Sequence, residues 1–266
     1  MFPIDAKLQR RQLVLASAAA CVLPARAATD EYGGDPYRSA QWPEMVKEFL
    51  GAKSRVEFDP RVQVKGPALA ENPMVVPITV SAPELADIQQ IVVLVDRNPI
   101  RKVLEFEPLD GTKAAISFRF KLEQASAVRA AVRTRDGVWH VGGTWVESSG
   151  GGCTVAGVTR QDGSWSQTLG QVSGRFFGDA IEAPGARLRV RVMHPMDTGL
   201  VSGIPAFYLR RMAVTDGGGV ELLRLSTYEP ISENPVFSFD FKGRPPGPFR
   251  VTGIDNNGNR IDGKVI

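Results

Sequence analysis

Apolar residues recur along this chain with two different periods. Trp42, Met45, Val46, Phe49 and Leu50 fall on one face at i, i+3, i+4 spacing, and Pro43 sits in the first turn. That spacing predicts a short helix over 42–50, with Gly51 as its C-cap. From residue 55 the period drops to two. Strands are expected at 55–58, 62–65, 74–81, 88–95, 102–107, 115–122, 128–134 and 138–147. Turn signals such as Asp59-Pro60, Gly66-Pro67, Asn72-Pro73, Asp110-Gly111 and Asp136-Gly137 separate them. In 115–122, Ile116, Phe118 and Phe120 alternate with Ser117, Arg119 and Lys121, which makes one face dry and the other wet.

Residues 148–172 break the alternation. They are rich in Gly, Ser, Thr and Gln and read as an exposed, flexible connector. A second series of strands is expected at 176–181, 187–193, 206–214, 220–227, 236–242, 249–255 and 260–266. There Leu188, Val190 and Val192 alternate with Arg187, Arg189 and Arg191, and Asp216-Gly217 and Asn257-Gly258 signal hairpins. The predicted fold is therefore all-β: two immunoglobulin-like β-sandwich domains joined by a flexible Gly-rich linker, with a short N-terminal helix. At 266 residues the chain is long enough for two such domains, and the halves show no obvious repeat.

The first 27 residues stand outside this scheme. Arg10 and Arg11 precede an apolar stretch from Leu13 to Leu23 that is too short to span a bilayer, and Ala25-Arg26-Ala27 offers a cleavage site. An export signal over 1–27 is expected, and the paired arginines suggest the twin-arginine route to the periplasm. Ala18 stands where a lipoprotein signal wants an aliphatic residue, which counts against lipidation of Cys21. The signal holds four of the 32 basic residues and one of the 29 acidic ones, which leaves 28 of each behind it. A balanced chain gives no argument for nucleic-acid binding, and no apolar run argues for membrane insertion.

Cleavage after Ala27 would also leave Cys153 as the one cysteine. A lone thiol in an oxidising compartment forms no internal disulfide, so it is either buried and inert or exposed and used. Ser148-Ser149-Gly150-Gly151-Gly152-Cys153 favours use. Gly150, Gly151 and Gly152 bring nothing to pack but make a slender tether. Over that stretch the thiol could reach roughly 20 Å at about 3.3 Å per residue. A flexible linker with an incidental cysteine is the plainer alternative. With only His140 and His194 in the chain and no CxxC partner, nothing near Cys153 in sequence reads as an activating base.

Here the chain resembles the SoxY and SoxZ families, the two halves of a sulfur carrier. The first half is similar to SoxY at Asn72-Pro73, along Ile91-Val92-Val93-Leu94-Val95-Asp96-Arg97-Asn98-Pro99, and at the closing Gly-Gly-Cys. The second is similar to SoxZ at His194-Pro195-Met196-Asp197-Thr198-Gly199, at Ile204-Pro205, along Ile231-Ser232-Glu233-Asn234-Pro235-Val236-Phe237-Ser238-Phe239, and at Asp255-Asn256-Asn257-Gly258. The domain plan that results is a SoxY-like sandwich over 28–147, a thiol arm and linker over 148–172, and a SoxZ-like sandwich over 173–266. The resemblance implies a non-enzymatic carrier that holds thiosulfate-derived sulfur covalently on Cys153, with Gly150, Gly151 and Gly152 as the arm's tether. The residues themselves offer no acid–base pair, metal cluster or cofactor fingerprint, so no cofactor and no metal are expected. The implied partners are periplasmic sulfur-oxidation enzymes or, as in the fused branch of the family, a quinoprotein dehydrogenase. A disulfide-linked dimer through Cys153 is expected in oxidising buffer. One departure matters: the SoxY arm ends its chain, whereas here Thr154 and Val155 follow and the arm is anchored at both ends.

Two metal chemistries fit the residues less well. Met193, His194 and Met196 have copper-type donors, but neighbours on a strand point to opposite faces. Asp255, Asn257 and Asn259 begin like a calcium loop, yet Arg260 replaces its glycine and no glutamate closes it. A non-catalytic adaptor that docks on a quinoprotein dehydrogenase, with the thiol dispensable, remains the alternative function.

Overall fold

Wherever the alternation is regular, the structure forms a strand. The computed structural model describes residues 32–160, 163, 165–178 and 185–266. The expected export signal over 1–27 lies outside those residues. The first half contributes β1 (Val56–Phe58), β2 (Gln63–Lys65), β3 (Leu69–Ala70), β4 (Val76–Ser81), β5 (Ile88–Val95), β6 (Lys102–Pro108), β7 (Thr112–Phe120), β8 (Ser126–Thr134) and β9 (Trp139–Ser148). The second contributes β10 (Val172–Phe177), β11 (Arg187–Val192), β12 (Leu209–Thr215), β13 (Glu221–Thr227), β14 (Val236–Phe241), β15 (Phe249–Asp255) and β16 (Arg260–Val265). The all-β class and the short N-terminal helix are as expected from the sequence.

The N-terminal helix starts at Trp42–Met45 (α1) and continues as a π-helical turn over Val46–Gly51. Its Trp42, Met45 and Leu50 pack on Val92, Leu94, Ala131, Trp139 and Val141. That contact explains the unbroken apolar run of β5. Ile91, Val93 and Val95 face the main core, while Val92 and Leu94 face the helix, so both faces are covered.

The two halves share their sheets. One sheet runs β1-β9-β8-β5-β6-β13-β12-β15-β16, with β3 beside β9; the other runs β10-β11-β14-β7-β4-β2. The crossings are antiparallel, from Leu104↔Thr227 to Pro108↔Leu223 in the first sheet and at Ser117↔Ser238 and Ile116↔Phe239 in the second. Phe106 stacks on Phe239 across the junction, with ring centroids 5.8 Å apart. A single core therefore passes through both halves. The connector joins halves already joined by hydrogen-bonded ladders, so they pack together rather than hinge on it.

Two departures have local causes. The strand expected at 176–181 is β10, four residues earlier, because Gly174 interrupts the alternation of Val172 and Phe176. β3, parallel to the end of β9, is two residues long and too short to show a period. In the connector, Val158–Arg160 forms a 3-10 turn and Trp165–Thr168 one helical turn (α2).

Candidate functional site

The chain leaves β9 at Ser148 and does not extend into solvent. Gly150 and Gly151 take φ of +95° and +84°, backbone conformations that favour glycine. Gly152 is required for a different reason. A Cβ there would lie 2.3 Å from the Pro73 carbonyl oxygen and 2.5 Å from that of Leu122. The Gly151 and Gly152 N–H groups donate to the carbonyls of Glu123 (3.1 Å) and Leu122 (3.3 Å). The Glu123 carboxylate then accepts from the Cys153 N–H at 2.8 Å and from the Thr154 hydroxyl at 2.9 Å. Cys153 is fully buried. This corrects the expectation of an exposed, extended arm: the three glycines let backbone lie against backbone. Gly152→Ala should accordingly overpack the seat and cost about 1–3 kcal/mol. Thermal unfolding would show a drop of about 2–4 °C per kcal/mol, and an unchanged midpoint would refute the close approach.

Both halves build the wall around the thiol. From the first half, the Lys121 carbonyl lies 3.6 Å from the Cys153 Sγ and also accepts the Asn98 Nδ2–H at 2.8 Å. The Lys121 side chain is buried, and its Nζ donates to the Met196 carbonyl at 2.6 Å. The alternation had put Lys121 on the wet face with Arg119. The strand ends at Phe120, and the chain turns Lys121 inward instead. From the second half, the Thr198 hydroxyl donates to the Cys153 carbonyl at 2.6 Å. Met196 takes φ +50° to bring that loop round. Asp197 accepts from Arg160 Nε at 2.6 Å. Downstream of the thiol, the Val158 and Thr159 N–H groups donate to the Glu233 carboxylate at 3.1 and 2.7 Å.

Burial pushes the Cys153 thiol up to about 12; the Glu123 carboxylate adds to the rise and Lys121 opposes it. Burial lowers the Lys121 ammonium, against the pull of Asp197, Cys153 and Glu233. In this seat the sulfur is a neutral thiol and a poor nucleophile.

His194 closes the far side of the same loop. Its Nδ1 accepts the Met196 N–H at 3.1 Å, and its buried Nε2 faces Asp255 Oδ2 at 3.5 Å without a hydrogen bond. The Met196 sulfur accepts the Leu209 N–H. Cys153 does fold back beside this loop, through Thr198, but His194 Nδ1 and the Met196 sulfur already accept backbone N–H groups, which disfavours the copper alternative. The Asp255 carboxylate accepts from Asn257 N, Asn259 N and Asn259 Nδ2, which makes the calcium-like stretch a turn. Among the described residues no group of His, Cys, Asp and Glu is arranged to hold a metal.

Burial pulls His194 down to about 4, with Asp255 opposing. The unfolded imidazole, near 6.5, binds its proton first as pH falls. Stability from this group is therefore complete above pH 6.5 and lost between 6.5 and 4, by about 3 kcal/mol. Thermal midpoints of the wild type and His194→Asn should converge as pH falls through that window. Parallel curves would contradict the assignment.

Comparison with known families matches residues 46–153 to the model "Sulfur oxidation protein SoxY" and residues 180–265 to "Sulphur oxidation protein SoxZ". The chain therefore carries a SoxY domain in its first half and a SoxZ domain in its second. The SoxY match ends on Cys153, and the intervening residues 154–179 belong to neither. No match was found among curated proteins. Among solved structures, the sulfur carrier protein SoxY from Chlorobium limicola f thiosulfatophilum is 20% identical with a TM-score of 0.37, covering 41% of this chain and 97% of its own. A putative membrane anchored protein from Corynebacterium diphtheriae is 13% identical with a TM-score of 0.24, covering 77% of this chain and 57% of its own. Among the described residues no helix is long and apolar enough to cross a membrane.

The wall around Cys153 is thus shared between the SoxY and SoxZ halves. The His194–Gly199 stretch, singled out by family likeness and for its copper-type donors, closes on the thiol segment through Thr198, and Glu233 and Asn234 hold the residues downstream of it. Asn98, Lys121, Glu123 and Thr198 were not singled out as site residues. Asn98 and Thr198 lie inside the quoted motifs, which is the signal that could have found them; nothing in the sequence marks Lys121 or Glu123.

Proposed function

We propose that this chain is a non-catalytic carrier that holds sulfur-oxidation intermediates covalently on Cys153. The observation that carries the reading is the position of the thiol: the SoxY match ends on it, and the SoxZ half closes over it through Thr198. Loading from thiosulfate would form an S–S bond between Sγ and the terminal sulfur. That step releases the thiol proton and two electrons to an oxidising partner enzyme. The seated sulfur is fully buried, so the carrier presents it by releasing the 150–154 segment. Arg10 and Arg11 support export to the periplasm by the twin-arginine route. Sulfur-oxidation enzymes or a quinoprotein dehydrogenase are the partners this reading implies.

Burial of the thiol favours one second reading, an adaptor in which Cys153 is structural. Intact mass measurement of protein isolated without reductant from sulfur-oxidising cells separates the two. Reductant-sensitive mass additions, absent from Cys153→Ser, are expected of the carrier. An unmodified thiol, with partner binding intact in Cys153→Ser, would replace it with the adaptor.

A further inference from the structure

The six strands of the second sheet contain one acidic residue, Asp240, and it is held by Arg187 at 2.6 and 2.8 Å. Strand register lines up the outward side chains of this sheet in rows. One row runs Arg175↔Arg189↔Ser238↔Ser117↔Thr79↔Lys65 across all six strands. The next row holds Arg191 beside Val236, and Arg119 beside Pro77. Arg119, Arg189 and Arg191 are exposed and form no ion pair with any described residue. Arg175 stands directly opposite Arg189, a like-charge pair that works against sheet stability. The fold gains nothing from this arrangement, because inward Leu188, Val190 and Val192 already secure β11.

The row with Arg119 and Arg191 lies at the thiol end of the sandwich. Arg119 is two residues from Lys121, and its carbonyl accepts the N–H of Ser232, next to Glu233. Pro77 is the second residue of β4, the strand that follows Pro73 and Met74, whose carbonyls touch Gly152 and Ser232. We propose that this face is a docking surface for an acidic face of a partner protein, set so that the partner's own site opens beside Cys153. Guanidinium groups on strands about 4.8 Å apart offer paired donors to several carboxylates at once. Between them the floor is Ser238, Ser117 and Thr79 in one row and Val236 and Pro77 in the next, with no continuous row of aliphatic side chains to enter a lipid surface. The placement beside Cys153 rests on the carrier reading; the binding itself does not.

Fluorescent deca-glutamate serves as the probe, titrated against the full chain by anisotropy at two salt concentrations. Binding should weaken with salt and fall at least tenfold in Arg119→Ser/Arg189→Ser/Arg191→Ser. It should hold in Arg210→Ser/Arg211→Ser/Arg260→Ser, which removes the same charge from elsewhere. Equal loss in both variants would overturn the proposal. So would tighter binding of the same face to vesicles of equal phosphatidylglycerol and phosphatidylcholine, which would make it a membrane surface. Cys153→Ser should bind like the wild type, so a failed carrier reading would leave this result standing.

Discussion

Arg129→Met should lose about 3–5 kcal/mol of stability, since it strands two buried carboxylates. Arg129 is fully buried. Its guanidinium donates to Asp96 at 2.7 Å twice and to Asp35 at 2.6 and 2.8 Å. The rings of Trp42 and Tyr37 lie 4.5 and 4.9 Å from its centre. Burial raises the Asp35 carboxyl, but Arg129 and the N–H groups of Ser39 and Tyr37 outweigh it and hold the group below its ordinary value. Its contribution is therefore present at neutral pH and lost as pH falls through the carboxylate range. For a chain of this size the loss corresponds to roughly 6–20 °C in thermal midpoint. The same group ties residues 35–42 to β8, so the helix that covers Val92 and Leu94 should loosen with it. Adding Asp35→Asn and Asp96→Asn to Arg129→Met should recover much of the loss, because no charge is then left unpaired. A single variant within 1 kcal/mol of the wild type would show that the buried triad does not hold this segment.

That triad also marks how far the sequence could be read. β7, β11 and β15 were legible because one face of each is dry, and alternation of side chains reports a dry face directly. The joining of the halves was not. The pairings β6–β13 and β7–β14 depend on residues more than a hundred positions apart, and each strand alone looks the same whether its edge is covered or free. Asp35 and Arg129 carry no local signal of their meeting for the same reason. The thiol segment failed differently. Glycine permits both a loose tether and a tight backbone contact, so Gly150-Gly151-Gly152 is compatible with either, and composition does not choose. Only the carbonyls of Pro73, just before β4, and Leu122, just after β7, decide for contact. Lys121 was misplaced because the alternation was carried one residue past the end of its strand.

Alkylation of Cys153 by iodoacetamide at neutral pH should be at least about a thousandfold slower in the folded chain than in urea. The ordinary thiol value is 9.0 and the seated one is about 12, so the reactive thiolate is scarcer by about that factor. Burial adds to the suppression. For the same reason stability should fall as pH rises from 9 towards 12, because the released thiol ionises before the seated one. Thr198→Val tests the seat itself. It removes the hydrogen bond to the Cys153 carbonyl, worth about 0.5–1.5 kcal/mol, and should raise the folded-state rate by about two- to tenfold. The route of attack can be told from the size of the reagent. If the 150–154 segment must leave its seat, a bulky maleimide should be slowed by folding no more than iodoacetamide is, since both meet the same released thiol. A bulky reagent slowed far more than the small one would mean attack in place through a narrow opening. A folded-state rate equal to that in urea would mean that the segment spends its time outside the wall that Lys121, Glu123 and Thr198 build.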